Sequence, residues 1–169
     1  AYSQAVDNYL DEKLEANTKP NNKPYKEGKP YTGKEHVWDE GFGYFGASAH
    51  TLSLTADQAY GIAKRKDMGS ADANGDGVVD LKSEMMFGPA YYAAAFDRSG
   101  TKSTNYLSTI MQAYMDGRQL ITSAKGAILT DAQRSSLKAH ASIIESNWEQ
   151  VLAEAVFKSV SYTHLRAHE

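Results

Sequence analysis

A short acidic segment in the middle of the chain has the residue types and spacing of a calcium site. It reads Asp72-Ala73-Asn74-Gly75-Asp76-Gly77-Val78-Val79-Asp80. Calcium is a hard cation that takes about six to eight oxygens, and side chains at alternate positions of a tight loop can converge on it. A glycine at the sixth position allows the sharp turn, and the next residue offers its backbone carbonyl. The predicted ligands are Asp72, Asn74, Asp76, the carbonyl of Val78, and Asp80.

The end of this loop departs from the EF-hand pattern. An EF-hand has a bidentate glutamate at position twelve, where this chain has Ser83 followed by Glu84. Asp80 at position nine is typical of calcium loops outside paired EF-hands, and Glu84 is a further candidate ligand. The alternative is an acidic turn held by side-chain-to-backbone hydrogen bonds without an ion. Repulsion between three carboxylates within nine residues favours a cation, and a single site predicts a structural staple rather than a sensor.

A second group of polar residues surrounds a histidine near residue 36. On a helix, His36, Asp39 and Glu40 lie three and four positions apart and share one face. An imidazole beside carboxylates can bind a metal ion or act as an acid–base pair. The alternative is a buried histidine that a carboxylate holds in place, with the neighbouring aromatic residues in the core.

The composition is that of a globular protein and excludes several classes of function. Of the 169 residues, 41% are hydrophobic and 23% are charged, which suits one domain with its own core. The net charge is −3 and no basic stripe is present, which argues against a nucleic-acid partner. The chain has no cysteine, so disulfides and thiolate sites are excluded. No apolar run reaches the roughly 20 residues of a transmembrane helix.

The hydrophobic periodicity predicts helices that hold these two groups of residues in place. No stretch alternates with the period of a strand, so the predicted fold is all-α, an irregular helical bundle with one calcium-binding loop. Thr55 with Gln58 and Thr130 with Gln133 have the spacing of capping boxes. The predicted helices span about 2–16, 33–44, 53–66, 81–96 (interrupted at Gly88-Pro89), 105–125 and 130–160.

The last ten residues break the apolar stripe of the final helix. They resemble an adapter-derived peptide found at the ends of gene predictions in metagenomic assemblies. The predicted domain is therefore 1–159, with 160–169 as a non-native tail, and neither His164 nor His168 is assigned a role. The alternative is a frayed native terminus.

Two motifs carry a resemblance to a known family. The strings H-x-W-D-E-x-F-G-Y-F-G and D-x-N-G-D-G-x-x-D-L-x-S-E resemble an uncharacterised family of bacterial exported proteins, over about residues 25–156. Members look like periplasmic proteins or lipoproteins, which implies a periplasmic or cell-surface location. Because they are longer, the resemblance also implies that this chain is a fragment that lacks an N-terminal portion.

That family is in turn distantly similar to the imelysins, helical-bundle proteins of the bacterial envelope linked to iron uptake. Their motif is G-x-H-x-x-E. Here Lys34 stands at the glycine position, Asp39 stands at the glutamate position, and Glu40 is adjacent. The resemblance implies that His36, Asp39 and Glu40 form the functional site, with iron as a possible ligand.

These observations predict a calcium-stabilised, envelope-associated binding protein that could take part in metal (iron) acquisition. One alternative is a structural or adhesion module at the cell surface, in which calcium is only a staple. A weaker alternative is a hydrolase that uses His36 and Glu40 as an acid–base pair. The chain has no H-E-x-x-H motif and no serine nucleophile constellation, so we do not expect an enzyme.

Overall fold

The computed structural model describes residues 1–14, 19–100 and 102–166, with side chains described as far as residue 162. The described part is helical, and its only β-type pairing is an isolated bridge between Pro24 and Thr32. This confirms the predicted all-α bundle. The helices are an N-terminal π-helix (Gln4–Lys13), α1 (Gly33–Phe45), a 3-10 turn (Thr51–Ser53), α2 (Ala56–Ala63), α3 (Met68–Ala71), α4 (Gly88–Ser99), α5 (Tyr106–Ser123) and α6 (Asp131–Arg166).

The N-terminal helix is confirmed as a helix, but its winding was not predicted. It buries Ala5, Val6 and Leu10 and packs against α1. Residues 4–13 have π-helical hydrogen bonding, the rarest of the helical types and usually confined to single turns. We find no feature of the sequence that marks this winding. The predicted end at residue 16 lies outside the described residues.

Helix α1 has strong signals at both ends. At its start the Thr32 hydroxyl accepts from the Glu35 N–H (3.2 Å), and the Glu35 carboxylate accepts from the Thr32 N–H (2.8 Å). This reciprocal pair is a capping box, and the sequence pattern T-x-x-E that encodes it was not used in the prediction. At its end Gly46 takes a left-handed conformation (φ 79°), which favours glycine.

The predicted helix at 53–66 divides into shorter pieces. The capping box of Thr55 and Gln58 is confirmed, and it begins α2 only at Ala56. A separate short helix, α3, follows and is capped by the Asp67 carboxylate, which accepts from the Ser70 N–H (3.1 Å).

The prediction of helix from residue 81 to 96 was wrong in its first half. Helix α4 begins at Gly88, and Pro89 lies in its first turn. Proline suits that position because the first N–H groups of a helix have no partner within it. Gly88-Pro89 therefore starts a helix rather than interrupting one.

Helices α5 and α6 pack along each other and form much of the core. The predicted stripe on α6 is confirmed, and its inward residues are Leu137, Ile144, Trp148 and Val151. The helix continues to Arg166, into the segment predicted to be a non-native tail; residues 167–169 of that segment lie outside the described residues. None of the described helices combines the length and apolarity needed to cross a bilayer.

A close contact between Trp38 and Gly117 sets the position of α1 on α5. The Trp38 indole is buried, and its Nε1–H donates to the carbonyl of Tyr114 (2.8 Å). A Cβ on Gly117 would lie 2.1 Å from Cζ2 of this indole. Only a glycine therefore allows the ring to lie against α5 in this way.

We expect Gly117→Ala to lower the free energy of unfolding by about 2 kcal/mol, because overpacking a buried ring outweighs the helix propensity gained. The matched control is Gly43→Ala, also within a helix, where an added Cβ meets no atom within 4 Å. That variant should gain about 0.5–1 kcal/mol. Urea unfolding of both variants checks this, and equal effects would contradict the role of the Trp38 contact.

Candidate functional site on the His36 face of helix α1

The predicted residues His36, Asp39 and Glu40 line a surface cleft. Helix α1 turns its other side towards the core, where Val37, Trp38 and Phe45 are buried. The cleft has a volume of about 530 Å³. Its lining combines aromatic rings with carboxylates and comprises Tyr31, His36, Asp39, Glu40, Gly43 and Tyr44.

The His36 ring is held by two tyrosines from the loop before α1. Its centroid lies 3.7 Å from that of Tyr25 and 5.9 Å from that of Tyr31. Its Nε2 lies 3.6 Å from Oε1 of Glu40, which is too long for a hydrogen bond. His36 and Glu40 therefore lie side by side on one face of α1, as predicted, but without a hydrogen bond between them. The contacts with the two tyrosines hold the His36 ring in place.

Asp39 forms an ion pair that the sequence analysis did not anticipate. Arg118 of α5 donates from Nε to Asp39 Oδ1 (2.8 Å) and from Nη1 to Glu35 Oε1 (2.7 Å). The guanidinium also contacts the Thr122 hydroxyl. One cation thus bridges two carboxylates of α1. The sequence feature that could have indicated this ion pair is the dipeptide Gly117-Arg118. The glycine allows α1 to pack closely on α5, and the arginine next to it then reaches the carboxylates of α1.

Glu35 is held as a carboxylate by these partners. Burial by itself would raise its pKa, but the Thr32 N–H and the Arg118 guanidinium outweigh burial, and the pKa of Glu35 is lowered. Its side chain is only 12% exposed. The charge on Glu35 therefore contributes to the attachment of α1 to α5.

Glu40 and Gly43 belong to the outer part of the cleft. Burial, together with the charge of Glu40, raises the pKa of Tyr9 from the neighbouring N-terminal helix. The Tyr9 ring stacks on Tyr44 at 5.9 Å between centroids. Gly43 has open space where its side chain would be. Tyr31, Tyr44 and Gly43 were not predicted as lining residues. For Tyr31 the reason is that its loop has no periodic pattern that would place the side chain.

The predicted calcium loop is a tight acidic turn. The Asp72 carboxylate accepts from the N–H groups of Gly75 and Gly77, both at 2.8 Å. The Asp76 carboxylate accepts from the Val78 N–H (2.8 Å), and the Asn74 amide donates to Asp76 (3.0 Å). Both glycines have positive φ. The structure thus brings together the first three predicted ligands.

The last two predicted ligands have other partners. Asp80 accepts from the Lys82 N–H (2.9 Å) and the Ser83 hydroxyl (2.9 Å), which lower its pKa. Glu84 is buried, and its carboxylate accepts from the N–H groups of Ala73 (3.1 Å) and Asp80 (2.8 Å). Glu84 therefore ties the two ends of the loop together.

Neither group of residues forms a ready-made metal cage. Within the described part of the chain, no three histidine or acidic side chains are grouped so that they could hold a metal ion. The Val78 side chain is exposed, whereas Val79 packs against the core.

The structure defines a helical domain with an open aromatic and acidic cleft. The chain belongs to the family described as Domain of unknown function (DUF4856), whose model matches residues 2–164. The match reaches residue 164, within the segment predicted to be non-native. The comparisons with curated proteins and with solved structures give no match.

We expect Glu35→Gln to lower the free energy of unfolding by about 1.5 kcal/mol at pH 7, because a hydrogen bond to a charged partner is lost. Since the folded pKa of Glu35 lies below its unfolded value, the stabilisation exists above the unfolded pKa and disappears as pH falls through the folded pKa. Glutamine can still accept the Thr32 N–H, so the capping box is kept.

The measurement is urea unfolding of the parent and Glu35→Gln at pH 7 and at about pH 3. The difference between the two proteins should shrink at the lower pH. A difference that stays constant across this range would show that the charge of Glu35 does not contribute to the fold.

Proposed function

We propose that this protein is a calcium-stabilised binding domain of the bacterial envelope, distantly imelysin-like, whose ligand site is the cleft around His36, Asp39 and Glu40. The cleft itself is the observation that carries this proposal. Its polar groups converge from a single rigid helix, which suits a binding site better than a flexible loop does. The envelope location rests on the family resemblance.

The buried carboxylate of Glu84 supports calcium at the acidic loop. It is 5% exposed and forms no ion pair with any of the described residues. A buried charge is costly without a compensating cation. Calcium bound to Asp72, Asn74 and Asp76 would supply positive charge beside it, and the hard oxygen donors of the loop fit this ion.

The acidic loop is connected to the cleft through backbone hydrogen bonds. The Ala49 N–H donates to the Ser83 carbonyl (2.6 Å), and the Phe87 N–H donates to the Gly46 carbonyl (2.8 Å). Gly46 is the residue that ends α1. Calcium at the loop would therefore also hold the end of α1 that carries Gly43 and Tyr44.

Iron is the second candidate ligand of the cleft. The proximity of His36 and Glu40, at 3.6 Å, offers an imidazole and a carboxylate to a metal. Asp39 could be a third ligand only if it left Arg118. The distant likeness to imelysins favours iron, whereas the ion pair of Asp39 opposes it.

We expect the melting temperature of the parent protein to be higher in calcium than in EDTA. A free calcium concentration 100 times the dissociation constant should add about 2.7 kcal/mol to the stability. Asp76→Asn should lose this gain, because it removes a charge but keeps an acceptor for the Val78 N–H. The control is Asp7→Asn, which changes an exposed carboxylate on the N-terminal helix. Identical melts of the parent in both buffers would exclude calcium.

For iron, titration calorimetry with Fe²⁺ under anaerobic conditions should show binding to the parent that is lost in His36→Phe and in Glu40→Gln. Phenylalanine keeps a ring for the stack with Tyr25 but removes the ligand nitrogen. Circular dichroism would verify that both variants fold. Unchanged binding in both variants would place the iron elsewhere.

A further inference from the structure

We infer that the cleft binds a small molecule that carries an organic ammonium group, held by the Glu40 carboxylate and the faces of Tyr31 and Tyr44. This inference rests on the proposed function of the cleft as a ligand site and adds the chemical class of the ligand. Three features of the cleft support it: the Glu40 carboxylate, the aromatic walls and the open space at Gly43.

The carboxylates of α1 near the cleft differ in their partners. Glu35, Asp39 and Glu40 are three carboxylates of α1, and the Arg118 guanidinium is bonded to the first two. Glu40 has His36 at 3.6 Å as its only basic neighbour among the described ion pairs, and its side chain is 38% exposed. Glu40 therefore presents a partly exposed carboxylate that no lysine or arginine pairs with among the described ion pairs, and a positively charged ligand could pair with it.

The aromatic walls suit such a cation. An ammonium group within about 6 Å of a tyrosine face is attracted by the ring quadrupole. The protein uses this interaction next to the cleft, since Lys13 Nζ lies 4.3 Å from the Tyr9 centroid and Lys26 Nζ lies 5.0 Å from that of Tyr25. In the described part of the chain no cation covers the ring of Tyr31 or Tyr44, the two tyrosines that line the cleft.

Gly43 leaves space in the cleft, and neither close packing nor backbone conformation requires a glycine at this position. A glycine inside a helix is destabilising relative to alanine. At Gly41 and Gly117 a close neighbour explains the residue, because an added Cβ would lie 3.2 Å from Leu10 and 2.1 Å from Trp38. At Gly43 an added Cβ would meet nothing within 4 Å, and its φ is not positive. The space that it leaves open belongs to the cleft.

The test compares two compounds of nearly the same shape by titration calorimetry on the full chain. Choline carries a quaternary ammonium, and 3,3-dimethylbutan-1-ol is its neutral analogue. We expect choline to bind about tenfold more tightly, from cation–π attraction and the Glu40 charge. Glu40→Gln should reduce choline binding to the level of the neutral analogue, whereas Asp7→Asn should leave it unchanged.

Gly43→Leu tests the location of the ligand without burdening the fold. The leucine side chain would extend into the cleft, so choline binding should be abolished while the melting temperature is equal to or above that of the parent.

Equal affinity for the two compounds, or choline binding that Glu40→Gln does not change, would overturn the ammonium inference. If Gly43→Leu then still blocked the neutral analogue or Fe²⁺, the cleft would remain a ligand site of another class. If no compound bound in a manner sensitive to Gly43→Leu, the proposed function would fail together with the inference.

Discussion

The attachment of α1 to α5 through the Trp38 indole is the contact on which the rest of the structure depends. The ring needs both the absent side chain of Gly117 and the carbonyl of Tyr114, so it fixes the distance and the register of the two helices. The next residue, Arg118, is thereby placed opposite Glu35 and Asp39. A single close contact in the core therefore positions an ion-pair network at the surface.

Helix α1 consequently has three sides with different surroundings. Its inner face is occupied by core packing, and its edge towards α5 is occupied by Arg118. Only the face with His36, Glu40 and Gly43 remains open to solvent. The loop before α1 covers part of this face with Tyr25 and Tyr31, and the segment after the acidic loop bonds to the end of the helix. The cleft is therefore built on a helix held at both ends and along one side.

The sequence predicted what depends on local pattern and missed what depends on distant partners. Periodicity placed α1, α5 and α6, and the capping box of Thr130 and Gln133 marked the start of α6. The spacing of His36, Asp39 and Glu40 put them on one side of α1, where all three line the cleft. The partner of Asp39 could not be predicted, because Arg118 is 79 positions away along the chain.

Other misses have similar causes. Gly88-Pro89 was predicted to interrupt a helix, whereas it begins α4. A proline inside an apolar run is compatible with a helix start and with a helix break, and the sequence alone does not distinguish them. Asn21 lies in the loop before α1 and was not predicted to be buried. It is buried, and its amide donates to the carbonyls of Ile121 (3.3 Å) and Ala127 (3.1 Å). Ile121 lies in the last turn of α5 and Ala127 in the segment after it, and no local pattern in the loop points to these acceptors.

The position of the N-terminal helix has a consequence for the order in which the chain assembles during synthesis. The Tyr2 hydroxyl donates to Glu149, 147 residues away, and the Tyr2 ring meets Trp148 edge-on. Neither contact can form until most of α6 has left the ribosome. The N-terminal helix can pack against α1 earlier, but its contacts with α6 must form late, and contacts of such long sequence separation slow folding. Until α6 arrives, the Tyr2 ring and the part of the first helix that faces α6 are exposed to other nascent chains and to chaperones.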